Sequence, residues 1–554
     1  MKIILSSKFT KYALLLVGSL SLLSFDNPSD RFFEISKNME ILSSVYAEVN
    51  KYYVDEVDPN KLMEEGIEAM LKSLDPYTNF IPEDDIEDFR FISTGQYGGI
   101  GSIVGSRNGN VTILLPYEGS PAHKAGLKVG DVITNINGVD VEGKGTTDIS
   151  KLLKGQAGTQ VDLVVRRYGI DKDFAVSLSR EKITVENVPY YGMIDNEVGY
   201  FKLTTFTNNA TKNVEKAVKD LKSMGAKKLI FDLRGNTGGL LKEAINISNL
   251  FIDKGSEVVS TRGKAQKWNA THRAMDNSLD TEIPLVVLTN GRSASASEIV
   301  SGVLQDYDRA VLIGKKTFGK GLVQATFQTA YHSQVKITTA KYYIPSGRCI
   351  QAIDYSNRDD DGNALEIPDS LLVEFKTANG RTVYDGEGIT PDIINKSEKR
   401  FNVVEELINQ NMLFSYANKY AFEHETISDS KSFALSDDDF EDFVKWLDAQ
   451  QFEYKIPLEA KLLSFEEELK KDSLHLHITR QLREIESQIA DEKDVELRES
   501  KRFIVEELET EITKRYYLDK GVIESSFDDD IDIVTALAVL KDKTRYNTVL
   551  GRKK

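Results

Sequence analysis

Three short runs in the middle of the chain, Lys228–Leu233, Pro284–Thr289 and Ala310–Ile313, are apolar almost throughout. A strand with one wet face alternates polar and apolar side chains. These runs do not alternate, so they read as strands covered on both faces. Val198–Leu203 is a further strand-like run, and helix-like stretches lie at Asn208–Met224, Leu240–Ile252 and Ser295–Tyr307. Such alternation predicts βαβ units around a largely parallel sheet, within a domain spanning 183–394.

The rest of the sequence is organised around that core. The chain has 554 residues, enough for roughly three or four domains at about 150 residues each. Residues 31–94 read as helical: Phe32, Ile35, Met39, Leu42, Tyr46 and Val49 recur at three- and four-residue steps. A second helix is predicted from Pro59 to Leu74, stopped by Asp75-Pro76. In residues 95–182 glycines multiply, and β-branched residues come in short runs at Val111–Leu115, Asp131–Ile136 and Val161–Val165. Asn137-Gly138 marks a tight turn there, and short helices fit at Ser120–Ala125 and Thr147–Leu153. This is the pattern of a small module of five or six strands. Residues 395–554 are charged and helical, with apolar positions three and four apart in Leu462–Lys470, Ile478–Ile489 and Phe503–Tyr516. His475 and His477 are two apart, so a helix would turn them to different faces and they read as surface residues.

Charge and composition exclude several function classes. A net charge of −17 argues against a nucleic-acid partner. The lone cysteine, Cys349, excludes an intrachain disulfide framework and a cysteine-based zinc cluster. Asn357–Gly362 imitates the opening of a calcium loop, but the twelfth position is Pro368, where a bidentate Glu is needed. It reads as a solvated turn, and no metal is expected. At the N-terminus, Lys2, Lys8 and Lys11 precede the apolar run Tyr12–Phe25. This is the order of a signal peptide or signal anchor over residues 1–25. Export without disulfides points to a bacterial periplasm, with an inner-membrane anchor wherever the signal is retained.

Two segments carry the residues for chemistry. Asn290-Gly291-Arg292-Ser293-Ala294-Ser295-Ala296-Ser297-Glu298 lies where a buried strand hands over to a helix. A serine there sits at the positive end of the helix among free backbone N–H groups, which suits an alkoxide nucleophile and a developing oxyanion. Taken alone, Ser295 and Glu298 also fit an S-x-x-E capping box, an ordinary helix start. In Thr317-Phe318-Gly319-Lys320-Gly321-Leu322-Val323-Gln324, glycines flank Lys320. A buried lysine loses part of its preference for the ammonium form, and its neutral amine can accept a proton from serine. Alone, Lys320 could equally be a surface lysine in a glycine turn.

Two resemblances join these pieces. Gly95-Gln96-Tyr97-Gly98-Gly99-Ile100-Gly101, with Gly119-Ser120-Pro121-Ala122 and Gly126–Ile133, resembles a PDZ domain. That likeness implies that Tyr97, Gly98, Gly99, Ile100 and Gly101 receive the terminal carboxylate of a peptide added to the sheet edge. The SASASE and FGKG segments together resemble the carboxyl-terminal processing, or tail-specific, serine proteases. Lys320 follows Ser295 by 25 residues, and Asp232-Leu233-Arg234-Gly235-Asn236-Thr237-Gly238-Gly239 matches the glycine-rich loop of that family. Tyr342–Arg348 and Gly388–Ile393 match further segments. The resemblance implies an α/β multidomain protein with a helical N-terminal segment, a PDZ domain, a crotonase-like α/β protease core and a helical C-terminal region. It implies a nucleophile at Ser295, a base at Lys320 and a glutamine, Gln324, that orients the lysine amine. Oxyanion donors follow at Ala296 and at Gly238 or Gly239. No cofactor is implied. The implied partners are protein or peptide substrates with free C-termini, and a second copy of the chain meeting through the helical ends.

Three other readings compete with this one. A histidine triad would draw on His272 or His332, the latter in a strand-like stretch, but neither lies in a recognisable motif. A non-catalytic PDZ scaffold for exported tails is disfavoured by the intact pair of motifs. A coenzyme A enzyme of crotonase type is disfavoured by the PDZ segment and the signal.

Overall fold

The computed structural model describes residues 28–552, except 360, 397–400, 455 and 470–474. The signal segment 1–25 and the side chains of His475 and His477 lie outside what is described. Of the described residues, 28–80 form one compact unit and those from 81 onward another.

In the first unit, helices α1 (Pro28–Tyr52) and α2 (Pro59–Lys72) bear out the periodic pattern. Asp58 caps α2 by accepting from the Asn60 and Lys61 N–H groups at 2.9 and 3.3 Å, and Pro59 supplies a first helical residue that needs no donor. The stop falls as expected, where Asp75 Oδ1 turns to accept the Tyr77 and Thr78 N–H groups. The helical reading of 31–94 is interrupted by a short strand at Asn79–Ile81 and resumes in α3 (Ile86–Thr94).

The second unit continues with the small β module. Its elements are β1 (Gln96–Gly99), β2 (Ser102–Arg107), β3 (Asn110–Pro116), α4 (Pro121–Lys124), β4 (Val132–Ile136), β5 (Val139–Asp140), α5 (Thr146–Leu153), β6 (Gln160–Arg166), β7 (Phe174–Ser179) and β8 (Glu181–Thr184). One antiparallel sheet runs β2-β3-β4-β6-β7, with β5 on β4, while β1 pairs with β8. Asn137 and Gly138 have φ of 51° and 84°. Two successive left-handed residues give a hairpin turn whose twist matches the strands it joins. Ile113, Ile133, Ile136, Ile149, Val161, Leu163 and Val165 form the core.

The central domain comprises β9 (Tyr190–Met193), β10 (Val198–Lys202), α6 (Ala210–Ser223), β11 (Lys228–Asp232), α7 (Leu241–Asn249), β12 (Glu257–Gly263), β13 (Ala270–Arg273), β14 (Leu285–Thr289), α8 (Ala296–Asp306), β15 (Val311–Gly314), β16 (Leu322–Gln328) and β17 (Gln334–Tyr343). Two small hairpins follow, β18 (Ile353–Arg358) with β19 (Ala364–Glu366) and β20 (Glu374–Lys376) with β21 (Thr382–Tyr384), before β22 (Ile393–Ile394). The main sheet runs β9-β10-β11-β14-β15-β22, parallel throughout except for β9. Strands β10, β11, β14 and β15 are buried on both sides, as their composition requires. Leu229, Phe231, Leu285 and Val287 face helices α6, α7 and α8, while Ile230, Val286, Leu288 and Ile313 face the opposite way. A second sheet, in the order β13-β12-β17-β16, flanks the first.

The C-terminal region contains α9 (Asn402–Asn409), α10 (Met412–Glu423), α11 (Asp437–Ala449), α12 (Pro457–Leu469), α13 (His475–Glu499), α14 (Lys501–Glu524), α15 (Ile531–Lys541) and α16 (Lys543–Val549). Val404, Leu407, Tyr416, Phe443, Ile504 and Leu508 give the larger bundle its own core. The last two helices pack elsewhere. Ile533, Ala536, Val539 and Leu540 of α15, with Tyr546 of α16, cover the second face of the main sheet. The bundle also holds the β module, where Leu115 and Val129 pack on Phe414.

Candidate active site

Strands β11, β14 and β15 are neighbours and run parallel, so their carboxyl ends share one edge of the sheet. In open parallel sheets that edge is where sites form. Each of the three strands here leads into one of the motif segments: Leu233–Gly239, Asn290–Ser295 and Lys315–Lys320.

Ser295 stands at a sharp turn between β14 and α8, with φ 54° and ψ −110°. A β-carbon is strained there by about 1–3 kcal/mol, and surrounding bonds must hold it. The turn leaves Ser295 half-buried, immediately before the first residue of an 11-residue helix.

Glu298 supplies one of the holding bonds and several others. Its side chain is fully buried. The carboxylate accepts from the Ser295 N–H at 2.8 Å, the Lys320 N–H at 2.9 Å, the Gly319 N–H at 2.6 Å and the Thr317 hydroxyl at 2.6 Å. Burial pushes its pKa above the usual carboxylate value, and these neutral donors only partly offset that. The S-x-x-E pattern is therefore more than a local cap, because one carboxylate joins the serine peptide to the lysine peptide. Tyr342, from the end of β17, makes a second connection. Its hydroxyl lies 2.8 Å from the Lys320 carbonyl oxygen and 3.2 Å from that of Ser295. Burial raises the phenol pKa well above its ordinary value, so the hydroxyl stays a donor.

The glycine-rich loop is fastened to the same turn by Asn236. Its side-chain amide donates to the Leu203 carbonyl at 2.8 Å, and Oδ1 accepts the Gly238 N–H at 2.9 Å. Its own carbonyl accepts from the Ala294 N–H at 3.0 Å and the Ser297 hydroxyl at 2.8 Å. Gly238 has φ 104°, and a Cβ there would lie 2.9 Å from Ser295 Cβ and 3.0 Å from the Ala296 nitrogen. Only glycine fits so close to the serine. The Gly238 N–H is engaged by Asn236, whereas the N–H groups of Gly239 and Ala296 have no hydrogen-bond partner among the described residues.

A cleft of about 620 Å³ contains Ser295, Ala296, Lys320, Gln324, Gly238 and Gly239. Apolar side chains, among them Ile92, Leu241, Ile299 and Leu322, complete its walls. Gln324 donates from Nε2 to the Thr338 hydroxyl at 3.2 Å. The residues expected to bind a peptide end lie elsewhere, on the β module. Tyr97, Gly98 and Gly99 pair with Ile183, Lys182 and Glu181, so they belong to a strand rather than an open loop. Ile100 and Gly101 form the loop, with Ile100 buried and Gly101 at φ 73°. Neither His272, on β13, nor His332 lines the cleft. His332 is not in a strand; it sits at φ 56° in the turn between β16 and β17.

Residues matching known families divide the chain in the same way. Residues 112–167 match the PDZ domain model, residues 197–357 the peptidase family S41 model, and residues 403–540 a model of the C-terminal helical domain of PDZ-proteases. The chain is 37% identical over 321 residues to the carboxy-terminal-processing protease of Bartonella bacilliformis, covering 57% of this chain and 73% of that one. It is 36% identical over 312 residues to the carboxy-terminal processing protease CtpA of Bacillus subtilis, covering 56% of this chain and 66% of the relative. Among solved structures, the photosystem II D1 C-terminal processing protease is 28% identical, with 65% of this chain and 93% of the other covered at a TM-score of 0.36. With its PDZ module, α/β core and helical C-terminal domain, the chain belongs to peptidase family S41, the carboxy-terminal-processing proteases.

Proposed function

We propose that this chain is an exported serine endopeptidase that cuts protein substrates near their C-termini through a Ser295–Lys320 dyad. The observation that carries the reading is that both side chains line one cleft while Glu298 binds both of their backbone N–H groups. The Ser295 hydroxyl attacks the scissile carbonyl as the neutral Lys320 amine takes its proton. Lys320 then returns that proton to the leaving amine. The oxyanion is received by the N–H groups of Gly239 and Ala296, a pairing favoured because Gly238 already donates to Asn236. The acyl-enzyme is released by water, with Lys320 again serving as base. Gln324 orients the lysine amine. The apolar walls favour apolar side chains next to the cut. The Gly98–Gly101 edge of the PDZ module takes the free terminus and feeds the chain toward the cleft.

The periplasmic location and the inner-membrane anchor rest on the basic-then-apolar N-terminus, and pairing with a second copy rests on the family resemblance. An unstructured protein with an apolar C-terminus tests the chemistry. Wild type degrades it, with or without chelator, whereas Ser295→Ala and Lys320→Ala bind it without cleaving. Cleavage surviving in both variants removes the dyad. Binding without cleavage by wild type returns the chain to the scaffold reading.

A further inference from the structure

The C-terminal helices reach the carboxyl edge of the main sheet at Arg234. Arg234, at the root of the glycine-rich loop, donates from Nη2 to Asp232 at 2.8 Å and from Nη1 to Asp530 at 2.7 Å and Asp532 at 3.1 Å. Asp232 is fully buried and also accepts the Tyr200 hydroxyl at 2.7 Å. Asp530 and Asp532 come from the N-terminal end of α15, almost 300 residues farther along the chain and outside the region matching the peptidase family. Both are held in place. Asp530 caps the helix by accepting the Asp532 N–H at 2.9 Å, and Asp532 accepts from Asn395 at 2.8 Å. Neither lines the cleft. Two residues beyond Arg234, Asn236 fixes the Gly238 N–H and the Ala294 peptide.

We propose that Asp530 and Asp532 are positioning residues for the peptidase reaction. They fix Arg234, and through it the Gly235–Gly239 loop, so that the Gly239 N–H meets the oxyanion. The inference rests on the dyad reading above. Without these carboxylates Arg234 keeps only Asp232, one side of its guanidinium is released, and the loop gains freedom to shift. A misplacement of about 1 Å in a reacting geometry costs about 100-fold in rate.

The test uses full-length Asp530→Asn, Asp532→Asn and the double variant. Asparagine also caps helices, so the exchange removes charge while keeping the N-cap. The substrate is an internally quenched peptide with apolar residues and a free carboxyl end. Active serines are titrated with a fluorophosphonate, so that kcat is expressed per competent site. The double variant should lose about 10- to 100-fold in kcat with KM within about twofold. In an Arg234→Met background the same two changes should have no further effect on kcat. A wild-type kcat per titrated site, or equal losses with and without Arg234, overturns the inference. If wild-type cleavage does not depend on Ser295, the dyad reading fails and the inference falls with it.

Discussion

Glu298 holds four neutral donors with two oxygens, fully enclosed by protein. Glu298→Gln turns one of those oxygens into an NH₂ group that must face a backbone or hydroxyl donor. Leaving a buried donor unsatisfied costs about 1–3 kcal/mol. Because two of those donors belong to Ser295 and Lys320, the loss should appear in kcat, by about 100-fold, more than in KM. Steady-state kinetics on a quenched peptide checks this, and an unchanged kcat contradicts it. The pKa directions of two buried carboxylates have opposite consequences for stability. Glu298 is raised, so the native state holds its proton more tightly than the unfolded chain does, and its contribution declines as pH rises above the ordinary carboxylate range. Burial alone would raise Asp232 too, but Arg234 outweighs it and holds the group below the ordinary value. Its stabilising effect is therefore complete above the unfolded pKa and lost as pH falls through the folded one. The stability gap between wild type and Asp232→Asn, measured by urea unfolding, should narrow as the solution is acidified below the ordinary carboxylate pKa. A gap independent of pH contradicts that assignment.

At the scale of elements, the site is three strand ends and the loops that leave them. The Leu233–Gly239 stretch works because Gly238 has no side chain: at φ 104° a methyl group would meet Ser295 Cβ at 2.9 Å. Gly238→Ala should fold but lose cleavage and slow fluorophosphonate labelling by at least about 100-fold, because its Cβ would lie 3.0 Å from the Ala296 nitrogen and push that proposed oxyanion donor aside. Labelling at the wild-type rate would show that the close approach is not needed. The buried strands β11, β14 and β15 were legible in the sequence because strands covered on both faces leave continuous apolar runs. The hairpin β16–β17 was legible only in part: the stretch around His332 read as strand-like, but His332 itself lies in the turn. Its residues are mostly half-buried, and Gln334–Tyr343 mixes Lys, Thr and Tyr without a clear period. The dyad candidates were readable from motif spacing, yet Glu298 passed for a helix cap because its other partners lie 19–22 residues away. Tyr342 fell inside a family-like segment, but nothing local gave its role. A hydroxyl that ties together two distant carbonyls becomes visible only once the strands are placed. Asn236 lay inside a motif, but its role as the fastener of the loop depends on Ala294 and Ser297, which come from a different strand end.

Across the whole second unit, the catalytic sheet is finished by helices from the far end of the chain. Ile533, Val539 and Leu540 are buried against it, and each such side chain contributes about 1.5–3 kcal/mol on burial. The same C-terminal region holds the PDZ module. The Phe414 ring takes the guanidinium groups of both Arg107 and Arg515, and Gly130 and Gly169 press against Asn418 and Phe422 so closely that a Cβ at either would overlap them. A charged helical tail thus serves as the floor of the sheet and the mounting of the PDZ module. The periodic sequence of that tail predicted helices but not what they would cover, because an apolar stripe does not name its partner. In the proposed mechanism this assembly serves to hold Ser295 and Lys320 in one cleft. The most direct measurement is labelling with a serine-reactive fluorophosphonate, followed by mass mapping of the modified peptide. In wild type the adduct should fall on Ser295, and in Lys320→Ala it should form at least about 100-fold more slowly. An adduct on another serine, or one on Ser295 that forms equally fast without Lys320, would contradict the account.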